Sequence, residues 1–311
     1  MFQQVSLIER IKIFFSRKET LPLLILINIV IWIAVLLIEN LAFLFSSPDS
    51  AALGSYKLQV SEWLLNTFAV PANTHILLFR PWTLFTYMFL HEGFMHILFN
   101  MLWLWWFGTI FIKYLSQRQL LGTYIFGGLA GAFVYIAAFN FFPVFSVARE
   151  SSLALGASAS VLAVVVAIAF YVPDYTLNLL FIGPVRIKYI ALFTVLLDLL
   201  MLKSGNAGGH LAHLGGAIWG FAYVKMLPGI DPTRLFNFLY QKNLSFNLLK
   251  RKRKFKVYKT DRPLTDDEYN RQKVLNQQKI DHILDKISKS GYDSLTKEEK
   301  ALLFSNSSHK K

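Results

Sequence analysis

The stretch LALGASASVLAVVVAIAF, from Leu153 to Phe170, limits this chain more than any other. Eighteen apolar and small residues in a row reach the length of a membrane span. Yet its first turns carry Gly156, Ser158, Ser160 and the alanines Ala154, Ala157, Ala159 and Ala163. A helix that had only to sit in lipid would carry Leu and Phe there, whereas small residues let neighbouring backbones approach closely. The expectation is a membrane helix gripped by others, with one of its serines a candidate nucleophile held between them.

Composition agrees. The chain has 311 residues, 54% hydrophobic and 15% aromatic, too apolar for an ordinary soluble domain of this size. We expect an all-α, polytopic membrane protein. The net charge is +13, but from Lys225 onward twenty Lys and Arg face ten Asp and Glu, so the tail holds about +10 of it. No cysteine is present, which excludes disulfides, thiolate metal sites and cysteine nucleophiles. The first apolar run, Leu21 to about Phe45, lacks a small-residue cleavage site and is too long for a signal-peptide core, so it is expected to stay as a span.

Residues 1–20 mix Arg10, Lys12, Arg17 and Lys18 with Ile8, Ile11, Ile13, Phe14 and Phe15, the pattern of a short interfacial helix. A membrane domain over 21–228 follows, with six spans predicted near 21–45, 91–112, 120–141, 153–172, 187–203 and 208–227. Basic residues set its orientation. With the amino terminus inside, Lys113, Arg118, Arg186, Lys188 and the tail are cytoplasmic, leaving Lys57, Arg80, Arg149 and Lys203 outside, so both termini lie in the cytoplasm. The long first outer loop, about 46–90, carries Leu58, Val60, Trp63, Leu64 and Phe68 and is expected to lie partly in the interface.

A juxtamembrane linker over 229–265 contains Lys250-Arg-Lys-Arg-Lys-Phe-Lys256. Such a run is expected to contact anionic lipids, at about 1 kcal/mol per basic residue; no nucleic acid is expected. Residues 266–311 read as a small cytosolic helical hairpin. Ile280, Ile283, Leu284 and Ile287 follow a helical stripe, Gly291 can end that helix, and Thr296-Lys-Glu-Glu299 is a capping box for the next. The hairpin is too short for a core of its own, so it is expected to dock on the membrane domain or a protein partner.

Polar residues inside spans are costly and therefore informative. Ser158 is about five residues into span four, His213 about five into span six, and His96 and Asn100 about five to nine into span two. At ~1.5 Å per residue all fall roughly 8–13 Å below the outer face. A serine hydroxyl becomes a nucleophile when a neighbouring base takes its proton, and histidine suits that role at neutral pH. His96 and Asn100, four apart on one helix face, can offer N–H groups to a developing oxyanion. Gly208, Gly209, Gly215, Gly216 and Gly220 leave span six thin enough to approach span four. Ser160 reads as packing and His91 as structural; His210 has no assigned role. Asp198, the isolated carboxylate of span five, reads as structural rather than as an orienter of a histidine. His91 and His96 mimic the zinc-protease pair H-E-x-x-H with one residue too many. Five apart they lie about 140° apart around a helix instead of about 40°, so they cannot clasp one ion; no metal or cofactor is expected.

Three motifs, in order, resemble the rhomboid family of intramembrane serine proteases: His91-Glu-Gly-Phe-Met-His96-Ile-Leu-Phe-Asn100, Gly156-Ala157-Ser158-Ala159, and Ala212-His213-Leu-Gly-Gly216-Ala-Ile-Trp-Gly220. The resemblance covers residues 80–227. It implies a six-helix bundle in which Ser158 attacks the scissile carbonyl and His213 serves as general base and then acid. His96, Asn100 and the Ser158 backbone N–H would form the oxyanion hole, with Gly156, His91, Gly216, Gly220 and Trp82 in support. The family works with a Ser-His dyad and needs no carboxylate. It cuts transmembrane substrates near the membrane surface, in a water-filled cavity open to the outside, and a fifth-span region admits the substrate laterally. Many relatives read Trp-Arg in the first outer loop where this chain has Arg80-Pro81-Trp82-Thr83, so anchoring of that loop is expected to differ. A bacterial plasma membrane is the expected location. The competing reading is a catalytically silent rhomboid-like protein that binds membrane clients, whose hallmark would be loss of the serine or the histidine; both are present. A transporter would show inverted repeats, and none is visible.

Overall fold

The structure is a computed structural model. It describes residues 19–47, 55–179, 182–203, 205–241 and 279–296, together with Ser6, Glu9, Phe14, Phe15, Asp49 and residues 298–300. Most of the amino-terminal interfacial segment, the basic run Lys250–Lys256 and most of the carboxy-terminal hairpin lie outside the described residues. The chain divides into two compact units, residues 1–245 and 246–311.

The first unit is helical: α1 (Thr20–Leu44), α2 (Ser55–Phe68), α3 (Thr74–Phe79), α4 (Phe94–Tyr114), α5 (Gln117–Phe141), α6 (Ser158–Tyr171), α7 (Ile187–Leu200) and α8 (Ala207–Met226). Two small antiparallel pairs interrupt it. Strand β1 (Val70–Pro71) pairs with β2 (Leu153–Ala154), and β3 (Thr176–Leu179) with β4 (Gly183–Arg186). Among the described residues, α1, α4 and α5 are long and apolar enough to cross a membrane. Helices α6 and α7, at 14 residues each, rise only about 21 Å. Length and composition therefore mark three crossings of the six predicted.

The reason α6 can be short is that it is wrapped by protein. Every residue from Ala159 to Ala169 is buried, as expected for a helix apolar on all sides. Its neighbours reach it through glycine. A β-carbon on Gly216 of α8 would lie 2.1 Å from the Ala159 carbonyl oxygen, and one on Gly220 would lie 2.4 Å from that of Ala163. On α5, a β-carbon added at Gly127 would lie 2.2 Å from the Ala163 methyl and one at Gly131 would lie 2.6 Å from that of Ala159. Bare backbones thus pack three helices against each other, the small-residue mode of membrane association. Asn28 of α1 donates to the Tyr124 hydroxyl of α5 at 3.2 Å, and Tyr124 in turn donates to the Met88 carbonyl at 3.3 Å.

Span four differs from expectation at its start. A helix from Leu153 would need helical backbone at Gly156, but Gly156 has φ +125°, open to glycine and strained for other residues. Leu153 and Ala154 are instead extended and paired with Pro71 and Val70, and the Gly156 N–H donates to the Tyr87 carbonyl at 2.9 Å. Ser158 is therefore the first residue of α6 rather than the fifth or sixth.

In the second unit, residues 279–290 are helical. Ile283 is buried, Ile280 and Ile287 are half-buried, and Leu284 is 50% exposed at the edge of the stripe. The predicted capping box forms: the Thr296 N–H donates to Glu299 at 2.7 Å and the Glu299 N–H to Thr296 Oγ1 at 3.3 Å. Lys286 pairs with Glu299 at 3.0 Å.

Gly216→Ala is expected to force α8 away from a carbonyl that cannot yield, at roughly 1–3 kcal/mol. Thermal unfolding in detergent should record a lower midpoint; an unchanged midpoint would mean the two helices are not held at backbone contact.

Candidate active site

The segment leading into α6 is held on several sides. Ser152 accepts the Ala72 N–H at its carbonyl, 3.0 Å, and the Tyr135 hydroxyl at its side chain, 2.8 Å. Asn73 caps α3, accepting from the His75 N–H at 2.8 Å, while its amide donates to Glu150 at 2.6 Å. Asn140 of α5 donates to the Ala72 carbonyl at 2.8 Å. The segment Arg80–Thr86 is tied to the end of α2: Trp82 Nε1 donates to Thr67 O at 2.8 Å, Thr86 Oγ1 to Phe68 O at 2.7 Å, and the Arg80 guanidinium to Asn66 O. Arg80, two positions before the tryptophan, thus anchors the loop. Thr83 is fully buried and donates to the Arg80 carbonyl at 2.7 Å.

A cavity of about 930 Å³ opens at the start of α6, and His96, Asn100, Ser158, Asp198, His210 and His213 all line it. Phe99, Trp103, Leu162 and Leu197 give it an apolar flank. Ser158 stands at the amino-terminal end of a helix, where the first four N–H groups have no intrahelical acceptor and the dipole favours negative charge. A β-carbon at Gly156 would lie 2.9 Å from His96 Nε2 and 3.5 Å from Ser158 Oγ. The glycine thus leaves open the space that the imidazole and the hydroxyl both border. His91 packs edge-on against His96, ring centres 5.1 Å apart, and its Nδ1 lies 3.3 Å from the Phe89 carbonyl. Asn100 is buried and donates to the His96 carbonyl at 2.9 Å; its second N–H is not committed by that bond.

His213 comes from the second turn of α8. Its Nδ1 lies 2.8 Å from Asp198 Oδ1, and His210 Nδ1 lies 2.8 Å from the same oxygen. Paired with a carboxylate in its ionised form, which only accepts, each Nδ1 would carry the proton. In a neutral ring that leaves the His213 Nε2 lone pair free. Among the described residues no hydrogen bond joins Ser158 Oγ to His213, although both face the one cavity. Apo sites commonly tighten such contacts only with substrate present. Ser160 is fully buried, close to Gly128, a packing position as read from sequence.

Asp198 is the residue sequence reasoning undervalued. It sits near the end of α7, and the two histidines near the start of α8, so a short connection brings them to one level. That was the available signal: a lone carboxylate and a histidine pair three apart, across one tight connection.

A family model for the Rhomboid domain matches residues 79–229, and one for a family of unknown function, DUF6576, matches residues 265–309. The chain is 30% identical over 178 residues to RHOMBOID-like protein 12, mitochondrial, of Arabidopsis thaliana, covering 54% of this chain and 53% of that protein. It is 30% identical over 140 residues to Presenilin-associated rhomboid-like protein A, mitochondrial, of Danio rerio, covering 44% and 35%. Over 59 residues it is 37% identical to Rhomboid protease GlpG of Salmonella newport, covering 19% and 21%. The chain spans about half, or less, of the length of these relatives.

Gly156→Ala is expected to cost roughly 1–3 kcal/mol from its backbone conformation alone, and to press on His96 besides. A lowered unfolding midpoint in detergent checks this; tolerance of alanine would mean that the turn before Ser158 relaxes.

Proposed function

Because the chain belongs to the rhomboid family, we propose that it is an intramembrane serine endopeptidase that cleaves transmembrane protein substrates. The observation that carries this is one cavity lined by a serine at a helix amino terminus and a histidine whose far nitrogen is held by a carboxylate. On this reading α1, α4, α5, α6, α7 and α8 are the six crossings, the shorter ones shielded from lipid by their neighbours.

Ser158 Oγ attacks the scissile carbonyl carbon while His213 Nε2 takes its proton. Asp198 accepts the His213 Nδ1–H, fixes the tautomer with Nε2 unprotonated, and stabilises the imidazolium once it forms, the role of the acid in a Ser-His-Asp arrangement. The tetrahedral oxygen is met by the Ser158 N–H, which has no helical partner, and by side-chain donors of His96 and Asn100. Collapse breaks the C–N bond, and His213 returns the proton to the leaving amine. Water then repeats the sequence on the acyl-enzyme, with His213 again as base. Asp198 is a positioning residue here, acting through His213, a part the family's dyad does not require.

The chain is a membrane protein of the rhomboid family. Two relatives are named mitochondrial and another is from Salmonella newport, so the relatives weigh against fixing the location as a bacterial plasma membrane, and a membrane but no organelle is assigned. The charge bias supports an orientation, with Lys113, Arg118, Arg186 and Lys188 on the side of both termini, and not an organelle. Anionic lipid at Lys250–Lys256 and a protein partner for residues 266–311 stay with this proposal.

Reconstituted with a model transmembrane substrate, the wild type should cleave and Ser158→Ala should not; cleavage by the alanine variant would overturn the assignment. Asp198→Asn should lower kcat by about 10²–10⁴-fold with little change in KM, by loss of the tautomer. Undiminished kcat would reduce the site to a serine and a histidine alone.

A further inference from the structure

His210 and His213 lie three apart in the sequence His210-Leu-Ala-His213, so a helix places both on one face. One ring nitrogen of each histidine and one Asp198 carboxylate oxygen all lie within 4.8 Å of one another, on the wall of the cavity. His91 and His96 differ from the sequence expectation of two residues turned apart on one helix: His91 lies before α4, which begins at Phe94, and its ring packs edge-on against His96 at 5.1 Å. Two imidazoles and a carboxylate are a zinc donor set, with ligand bonds of about 2.0–2.2 Å, and three protein ligands leave the fourth tetrahedral position open. Here the cavity supplies both an entry path and room for that fourth ligand. The carboxylate oxygen, 2.8 Å from each nitrogen, is already between the two rings, so the donors converge before any ion arrives. Asp198 is buried and the imidazoles are partly so, a setting in which a dication is desolvated against a formal negative charge.

We propose that Asp198, His210 and His213 form a zinc site that switches the protease off reversibly; the inhibitory part rests on the serine-protease reading above. To ligate through Nδ1, the neutral His213 ring must move its single proton, by exchange with solvent, from Nδ1 to Nε2. That nitrogen becomes a donor and cannot accept the Ser158 proton. The Asp198 oxygen that orients His213 is also withdrawn to the metal. Zinc therefore removes the general base without touching the serine, and a chelator restores it.

The test uses the full chain in detergent, purified without a histidine tag and stripped with a chelator. Calorimetric titration with ZnCl₂ should show one high-affinity site per chain, and His210→Ala and His210→Gln, each confirmed folded by thermal unfolding, should weaken it at least tenfold, the scale on which even outer partners of a metal tune affinity. Substrate cleavage by the wild type should fall along the same titration and return with chelator, whereas whichever His210 variant retains cleavage should need at least tenfold more zinc. Absence of a site in the wild type, or equal affinity in both variants and wild type, overturns the proposal. Cleavage unaffected at saturating zinc overturns the inhibitory role. If the metal-free chain cleaves nothing, the protease reading fails by itself, while the calorimetric result still decides whether the zinc site exists.

Discussion

The backbone contact between α6 and α8 is the constraint on which the rest depends. With no β-carbon at Gly216 or Gly220, the Ala159 and Ala163 carbonyls sit where those side chains would be. In a bilayer, where apolar burial gives little drive for helices to associate, such contacts and interhelical hydrogen bonds do the holding. They also set the reach of His213, three residues before Gly216 on the same helix. A wider spacing between α6 and α8 would leave the imidazole out of range of the start of α6. The same closeness explains the alanines and serines that interrupt an otherwise leucine-like span.

A second constraint lies at the other end of α6. A polar backbone in a water-poor region needs internal partners, and the extended approach to Ser158 has them: Val70 and Pro71 alongside, and the Tyr87 carbonyl beneath Gly156. Starting α6 at Ser158 rather than five residues earlier leaves the serine N–H unspent at the cavity. The segment Arg80–Thr86, clamped through Trp82, Arg80 and Thr86 to the end of α2, is thereby part of what places Ser158. An arginine on one side of Trp82 takes a role the family pattern leads one to seek on the other.

Much of this was legible in the residues. The serine, the histidine and the glycine ladder are readable because small and polar groups in an apolar chain are costly without a purpose. The cavity-lining places of His96 and Asn100 followed from helical spacing. What was not legible depends on pairing across long separations. Nothing near Leu153 announces a strand, because its partner lies some eighty residues earlier and the segment itself is apolar. Three of the six predicted crossings do not meet the span criterion: α6 and α7 have only 14 residues each, and α8, though 20 residues long, is rich in glycine and alanine. Asp198 was misjudged for a related reason: one carboxylate in an apolar helix does not say which ring it faces, and here it faces two.

The central claim is that the hydroxyl made reactive in this cavity is that of Ser158, through His213. Peptide mass spectrometry after treatment with a fluorophosphonate tests it most directly. The account predicts a single phosphonylated residue, Ser158, whose modification is lost in His213→Ala. An adduct on Ser160 or another serine, or equal modification of Ser158 without the His213 imidazole, would contradict it.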